Sequence, residues 1–168
     1  MEWTLTDTPI AFCQTNPLAY IAEIQVVYLD SYDLKHWGEV CFAKEGDACF
    51  DLRVTQDITL HSGVVELVGT GIRTAFAPDY VLHIYPRSGM ACKQQITLAN
   101  APATIDSGYR GEIKLGLLNT GNVMKVIKRG ERVAQARLSA LVTTRFKTVS
   151  VLDDSERGEG GFGSTGYK

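Results

Sequence analysis

The chain has 168 residues, with 17 Lys and Arg against 19 Asp and Glu, and its formal net charge is −2. This length predicts one domain that can bury a core without disulfides or metals. Because acidic and basic residues are interspersed, no basic surface favours nucleic-acid binding, and an anion site would have to be built locally. The four cysteines show no C-x-x-C spacing and the three histidines lie far apart, so a zinc site has little support.

The first sixteen residues, MEWTLTDTPIAFCQTN, contain acidic side chains, no basic n-region and no long apolar run. They predict neither a secretory signal nor a membrane span. We therefore expect a cytoplasmic protein whose thiols stay reduced.

Hydrophobic residues then alternate with a period near two in AEIQVVYLD, GVVELVGTGIRTAF, DYVLHIYPR and GEIKLGLLN, which predicts strands. In the last segment Ile113, Leu115 and Leu117 share one face, as a half-buried strand requires. Turn sequences such as HSG, APD, DSG, NTGN and KRGER separate these runs. The pattern favours an all-β sandwich, barrel or jelly roll, with one short helix over Ser88–Ile96.

Two segments contain polar residues in unusual places. In EGDACFDLRV, Asp51 lies between Phe50 and Leu52 inside a strand, which suits a charge only if it meets a metal-bound water or a basic partner. In YPRSGMACK, a strand is followed by Arg87, Ser88 and Gly89 at the start of the predicted helix. These three residues suit a phosphate group, although Ser88 could equally be an ordinary N-cap residue.

Two further segments offer polar groups next to predicted strands. In IDSGYRGEI, strands flank the turn, which places Asp106 at a hairpin edge, where it could act as a general base or only begin the turn. Tyr109 could lie against a sugar or base, or pack across the strands. In GERVAQARL, Arg132 and Gln135 flank an apolar pair, and the amide could bind an anion or the backbone.

The last twelve residues, RGEGGFGSTGYK, include five glycines. Such a terminus is usually frayed, because ordering glycine costs more backbone entropy than ordering any other residue. The alternative is a segment ordered by a ligand, in which Arg157 and the amides of 161–166 hold an anion while Phe162 covers a flat group.

Five segments in order, GDACFDL, PRSG, NAPATIDSGYRGEI, GERVAQ and RGEGGFGSTG, resemble the five motifs of the homotrimeric dUTPases. The resemblance spans roughly 45–166. It implies a jelly-roll-like distorted β-barrel with active sites shared between three subunits. It also implies Mg²⁺-assisted hydrolysis of dUTP to dUMP and pyrophosphate, which limits uracil incorporation into DNA and supplies dUMP for thymidylate synthesis. We expect one domain, 1–168, with an extended N-terminal segment 1–44, a barrel core 45–154 and a mobile tail 155–168.

The resemblance also implies roles for individual residues. Asp106 would activate water, and Asp51 would act indirectly, through water near a magnesium ion held mainly by the triphosphate. The substrate would be bound by Arg87, Ser88, Gly89, Asn100, Thr104, Ile105, Tyr109, Lys114, Gln135, Arg157, Phe162, Gly163, Ser164 and Thr165. Of these, Arg87 to Gly89 and Gln135 would hold phosphates, and Asn100 with the backbone of 104–106 would bind uracil.

Tyr109 would lie beneath the deoxyribose and exclude a 2′-hydroxyl. From the tail, Arg157 would pair with the γ-phosphate, Phe162 would stack on uracil, and 163–165 would wrap the phosphates, in the active site of a neighbouring subunit.

Two residues depart from the family pattern: Cys49 and Ala103 stand where glycine is common, and Ala103 follows Pro102. Trp3, Trp37 and the segment DSYDLKHWGE match no motif and could form a peripheral strand and loop, a trimer contact or a site for a protein partner. Two other functions stay open at this point. One is a dCTP deaminase of the same fold, and the other is a nucleotide-gated binding protein acting through its N-terminal segment.

Overall fold

The computed structural model describes residues 21–160, in which eleven strands and two short helices alternate with turns. The strands are β1 (Gln25–Tyr28), β2 (Phe50–Arg53), β3 (Ile58–Leu60), β4 (Val65–Gly69), β5 (Ile72–Ala75), β6 (Tyr80–Pro86), β7 (Ile96–Leu98), β8 (Ala103–Asp106), β9 (Lys114–Asn119), β10 (Lys125–Ile127) and β11 (Arg132–Ala140). The helices are α1 (Leu34–Trp37) and α2 (Ser88–Gln94). The predictions for 1–20, Phe162, Gly163, Ser164 and Thr165 lie outside the described residues.

The strands form four antiparallel sheets, in the orders β2-β11-β6-β8, β4-β9-β7, β1-β5 and β10-β3. β11 is central in the largest sheet, because it pairs with β2 on one side and β6 on the other. This register places Gln135 opposite Asp51 on β2 and opposite Tyr85 on β6. The sheets are not closed into a barrel, but the predicted all-β class is confirmed.

The core lies between the sheets and is built by the predicted alternation. Ile113, Leu115 and Leu117 are each at most 1 % exposed, whereas Lys114 between them is exposed. Phe50 and Leu52 of β2 are buried in the same core, so Asp51 between them faces the other side of the sheet.

The predicted helix at Ser88 is present, but it ends at Gln94 because Gln95 adopts the left-handed conformation, with φ 58°. The prediction that Asp106 lies at a hairpin edge is wrong. β8 pairs with β6 whereas β9 pairs with β4 and β7, so the chain changes sheets after Asp106. The turn sequence was typical of a hairpin, but the partners of each strand are set by packing elsewhere in the chain.

The described ends of the chain differ in how they pack. β1 pairs with β5, so the end of segment 1–44 is part of the fold. After Ala140, residues 141–152 belong to no strand and expose apolar side chains, with Val142 87 %, Phe146 98 % and Val151 80 % exposed. Neither helix found within 21–160 is both long enough and apolar enough to cross a membrane.

Candidate active site

A cavity of about 530 Å³ lies where β2 and β11 meet the beginning of α2. It brings together five residues that the sequence places in three separate motifs, Asp51, Arg87, Ser88, Gly89 and Gln135. The same cavity is lined by polar residues for which no site role was predicted, namely Asp47, Cys49, Lys93, Gln94 and Arg132.

The carboxylate of Asp51 is held between two arginines. Arg87 Nε lies 2.8 Å from Asp51 Oδ1, and Arg132 Nη1 donates to Asp51 Oδ2 at 3.0 Å. The two arginines are also joined, because Arg87 Nη1 donates to the carbonyl oxygen of Arg132 at 2.8 Å. We call these three residues the Asp51 cluster. Asp51 therefore has the basic partners that a charge inside a strand requires. In turn, its carboxylate holds the two guanidinium groups at the cavity wall.

Ser88 and Gly89 are presented by the junction of β6 and α2. The strand ends at Pro86, which has no N–H to continue the ladder, and Arg87 is the N-cap of α2 with extended backbone angles. Ser88 is thus the first helical residue, and the expectation that it could be an ordinary N-cap is wrong. A Cβ atom on Gly89 would meet nothing within 4 Å, so the cavity beside its backbone is open to a ligand.

Gln135 uses its amide to fix this junction. Its Nε2 donates to the carbonyl oxygen of Pro86 at 3.0 Å. The sequence left open whether this amide binds an anion or the backbone, and the structure shows the contact with the backbone. Its side chain still lines the cavity, and its amide oxygen has no partner among the described residues. Lys93, which forms no ion pair within 21–160, adds a positive charge to the same wall.

The residues of the third motif lie elsewhere. Asp106 ends β8, is exposed, and begins a turn in which Tyr109 N donates to its carbonyl oxygen at 3.0 Å. Tyr109 is 45 % exposed, and its hydroxyl donates to the Glu112 carbonyl at 2.9 Å, so it packs against its own loop rather than across strands. Asn100, Thr104, Ile105 and Lys114 do not line the cavity either, and only Ile105 packs partly on the core.

Register gives the distance between the two halves of the predicted site. Asp106 is opposite Val81 near the beginning of β6, whereas Arg87 follows the end of that strand. Arg87 is six positions beyond Val81, so Asp106 is about 20 Å from Arg87 along the strand at about 3.3 Å per residue. Within one chain, the structure does not bring Asp106 to Ser88.

Arg157 does not line the cavity of its own chain either. It lies in a turn where its Nε donates to the Gly160 carbonyl oxygen at 2.9 Å, and it is not among the residues that line the cavity. Phe162 and the residues that follow it lie outside the described part of the chain.

The two departures from the family pattern have different surroundings. Cys49 is half-buried and lines the cavity. Ala103 is 8 % exposed and belongs to the core cluster, so its methyl group faces the interior and the neighbouring Thr104 faces outward.

No group of three or more His, Cys, Asp or Glu side chains that could hold a metal ion occurs in the described part of the chain. The carboxylates that line the cavity are those of Asp47 and Asp51.

An all-β fold with three cationic side chains, a hydroxyl and an open glycine around one cavity defines a class of protein suited to binding phosphate groups. The family model described as dUTPase matches residues 35–166. The chain belongs to the dUTPase family, and the predicted family and enzyme class, a dUTP diphosphatase, are confirmed.

Individual relatives agree with this assignment. A deoxyuridine 5′-triphosphate nucleotidohydrolase of Bifidobacterium longum is 43 % identical over 141 residues, which are 83 % of this chain and 89 % of the relative. A mutant dUTPase of Staphylococcus bacteriophage 80alpha with dUpNHpp has a TM-score of 0.75 and 22 % identity, over 86 % of this chain and 98 % of the other. A mutant dUTPase of phage phi11, described with a structural Mg(II) ion, has a TM-score of 0.69 and 17 % identity, over 79 % and 99 %. The predicted jelly-roll-like fold is therefore confirmed.

Proposed function

We propose that this chain hydrolyses dUTP to dUMP and pyrophosphate. The observation that carries the proposal is the convergence of Asp51, Arg87, Ser88 and Gln135, which are far apart in sequence, on one cavity in a member of the dUTPase family. Guanidinium groups, a hydroxyl and an open backbone are the groups that hold phosphate oxygens. The curated relative from Bifidobacterium longum carries the name of this activity.

In the proposed reaction, the Asp106 carboxylate takes a proton from a water molecule as the water oxygen attacks the α-phosphorus. The bond from the α-phosphorus to the bridging oxygen breaks, and pyrophosphate leaves with the bonding electrons. Arg87 and Lys93 offset the charge that builds on the leaving group, and Ser88 donates its hydroxyl to a phosphate oxygen. Asp106 is suited to this role because it is exposed and its carboxylate has no partner within 21–160.

The donors in the cavity fit a magnesium ion that is bound indirectly. Arg132 donates to Asp51 Oδ2 and Arg87 forms an ion pair with Asp51 Oδ1, and each oxygen keeps a lone pair that could meet a water molecule of the ion. Asp47 supplies a second carboxylate at the same wall. When bound with the triphosphate, magnesium would offset phosphate charge and help to orient it.

We further propose that the active enzyme is a homotrimer with active sites formed between subunits. The separation of about 20 Å along the strand between Asp106 and Arg87 supports this, because an attacking water and the phosphate that it attacks must be in contact. A second copy can supply Asp106 to the cavity of the first. The exposed apolar residues of 141–152 are suited to contact with another subunit.

Uracil would be bound by the free edge of β8. This strand is at the end of its sheet, so half of its backbone N–H and C=O groups face away from β6 and can match the edge of a base. Ala103 does not narrow that edge, because its methyl group is buried in the core. Asn100 and Tyr109 flank the strand and would contact the base and the deoxyribose, and Lys114 would assist at the same side.

The tail completes the proposal. Arg157 would pair with the γ-phosphate in a neighbouring subunit, Phe162 would stack on uracil, and Gly163, Ser164 and Thr165 would wrap the phosphates. The exposed position of Arg157, outside its own cavity, supports a role in another subunit. The dUMP formed would be available for thymidylate synthesis, and removal of dUTP would limit uracil incorporation into DNA.

Complementation between two inactive variants tests the shared site. Asp106→Asn removes the base and Arg87→Ala removes a phosphate contact, so each variant alone should release little pyrophosphate from dUTP. When the two are unfolded and refolded together at equal amounts, about a quarter of the sites should have both intact residues, if each site takes them from different subunits. Activity no higher than that of the separate variants would refute sites built between subunits.

A further inference from the structure

The segment DSYDLKHWGE, which matches no motif, packs against the turn that leads into β11. Its helix α1 is capped by Asp33, whose Oδ1 accepts from His36 N at 3.2 Å. Three aromatic rings connect the helix to the core, with centroids 4.7 Å apart from Tyr28 to Tyr32 and 5.1 Å apart from Tyr32 to Trp37. Tyr28 and Tyr32 pack on the buried core, so the ring of Trp37 is connected to the core through these two side chains.

The indole of Trp37 lies directly on the turn 128–131. The Arg129 guanidinium carbon is 5.2 Å from the ring centroid, in cation–π geometry. Gly130 has φ +86°, and a Cβ atom on it would lie 2.8 Å from Trp37 Nε1, so the ring touches the backbone of the turn. Arg129 also donates to the Thr55 carbonyl at 3.1 Å and the Ser31 carbonyl at 3.3 Å.

The same turn leads directly into the Asp51 cluster. Gly130 N donates to the Val54 carbonyl at 2.8 Å, and its own carbonyl accepts from Arg53 Nη1 at 2.7 Å. Two residues further on, Arg132 binds Asp51 through its side chain and Arg87 through its carbonyl oxygen.

The sheet alone does not fix the position of Arg132. Arg132 pairs with Arg53, but the pairing of β11 with β2 changes register between Arg132 and Ala134, so this irregularity separates the arginine from the regular ladder. The placement of Arg132 then depends on the turn before it, and that turn is covered on one side by Trp37.

We propose that Trp37 is a positioning residue for the phosphate site: it holds the turn 128–131 so that Arg132 keeps Asp51 and Arg87 in place. The inference rests on the proposed function, since it assigns the Asp51 cluster to the substrate's phosphates. It gives the N-terminal segment a role within its own chain, where the sequence left a peripheral loop, a trimer contact and a partner site open.

The test measures the binding of pyrophosphate with magnesium by calorimetry, together with KM and kcat for dUTP, well below the unfolding temperature. Trp37→Ala should weaken pyrophosphate binding and raise KM about tenfold, within the range expected for coupling through packed contacts. Trp37→Phe, which keeps a ring on the turn, should restore most of the loss. Leu34→Ala is the matched control, because it truncates a half-exposed apolar side chain of the same helix and leaves the Trp37 ring in place, and its binding should equal that of the wild type.

A double-mutant cycle with Arg132→Ala separates positioning from general destabilisation. In the Arg132→Ala background, Trp37→Ala should add less than about a twofold loss, because the group that it positions is gone. A loss of full size in that background, or wild-type binding in Trp37→Ala, would overturn the proposal.

If Trp37→Ala does not fold, Trp37→Leu takes its place in the cycle, and the same two results decide. Failure of the wild type to hydrolyse dUTP would refute the proposed function alone, since pyrophosphate binding is measured without turnover.

Discussion

Replacing Asp51 by asparagine tests the Asp51 cluster with no change in side-chain size. In the native chain Arg132 Nη1 donates to Asp51 Oδ2 at 3.0 Å, and Arg87 Nε forms an ion pair with Asp51 Oδ1 at 2.8 Å. An asparagine can accept from only one of the two, and its NH₂ group would face the other guanidinium, where two donors meet. One charge-assisted hydrogen bond is therefore lost, and two positive charges lose the carboxylate that separates them.

The expected size of the effect follows from the exposure of the partners. The side chains of Asp51, Arg87 and Arg132 are 22 %, 32 % and 45 % exposed, so solvent screens part of the interaction. A hydrogen bond to a charged group contributes about 1.5–3 kcal/mol, and we expect about 1–2 kcal/mol after screening. For a chain of this length, that loss lowers Tm by about 2–8 °C.

The effect on activity should exceed the effect on stability. Arg87 and Arg132 would no longer be held at the cavity wall, and we expect kcat/KM for dUTP to fall about 100-fold, or about 2.7 kcal/mol. The assay is pyrophosphate release at 25 °C beside thermal unfolding. Asp57→Asn is the control, because Asp57 also binds basic groups, at Lys128 and Arg129, but does not line the cavity. It can affect Arg132 only through the turn 128–131, so it should lower kcat/KM by less than about tenfold. Wild-type kcat/KM in Asp51→Asn, or an equal loss in Asp57→Asn, would refute the role given to the cluster.

Three further predictions concern the fold. Ile113→Ala removes a side chain that is 0 % exposed and should lower the free energy of unfolding in urea by about 2–5 kcal/mol; a loss below 1 kcal/mol would contradict its place in the core. Gly130→Ala should lower the free energy of unfolding by about 1–2 kcal/mol in the same assay, because φ of Gly130 is +86°. An unchanged urea midpoint would show that the turn has another conformation. The Arg129 N–H and then the Lys128 ammonium lower the pKa of Asp57, so this carboxylate contributes stability above its ordinary pKa of about 3.9. That contribution is lost as pH falls through the lowered folded-state value, and Asp57→Asn should flatten the acid limb of Tm against pH.

The local parts of the fold could be predicted from the sequence. Alternation in GEIKLGLLN placed Ile113, Leu115 and Leu117 on the buried face, and the structure confirms it. The helix after Pro86 was predicted from the proline and the residues that follow it, because these signals act within a few residues. The N-terminal helix α1 was missed, since one turn of four residues gives too short a pattern.

Long-range pairing could not be predicted in the same way. Asp51 meets Arg132 across 81 residues, and nothing in either segment specifies the other. The turn after Asp106 was typical of a hairpin, but its two strands found partners in different sheets. The family resemblance therefore indicates which residues form the site. Only the register between β6 and β8 shows that Asp106 lies away from the other residues within one chain.

The sequence contains a signal for one further residue of the cavity, Lys93. Lys93 follows Gly89 by four positions on a helix, so the two share one face, and a lysine there adds charge next to the predicted phosphate site. Arg132 was noted beside Gln135 but was given no role. Its contact with Asp51 depends on the irregular register at the beginning of β11, which sequence patterns do not show.

The most direct test of the central claim is pyrophosphate release from dUTP, with dCTP, dTTP and UTP in parallel, in the presence of magnesium and for both wild type and Asp106→Asn. The account predicts release from dUTP alone, no ammonia from dCTP, and a loss of at least about 100-fold in Asp106→Asn, since removal of a general base costs about 10²–10⁴ in rate. Wild-type turnover by Asp106→Asn, or no release from dUTP by the wild-type chain, would contradict it.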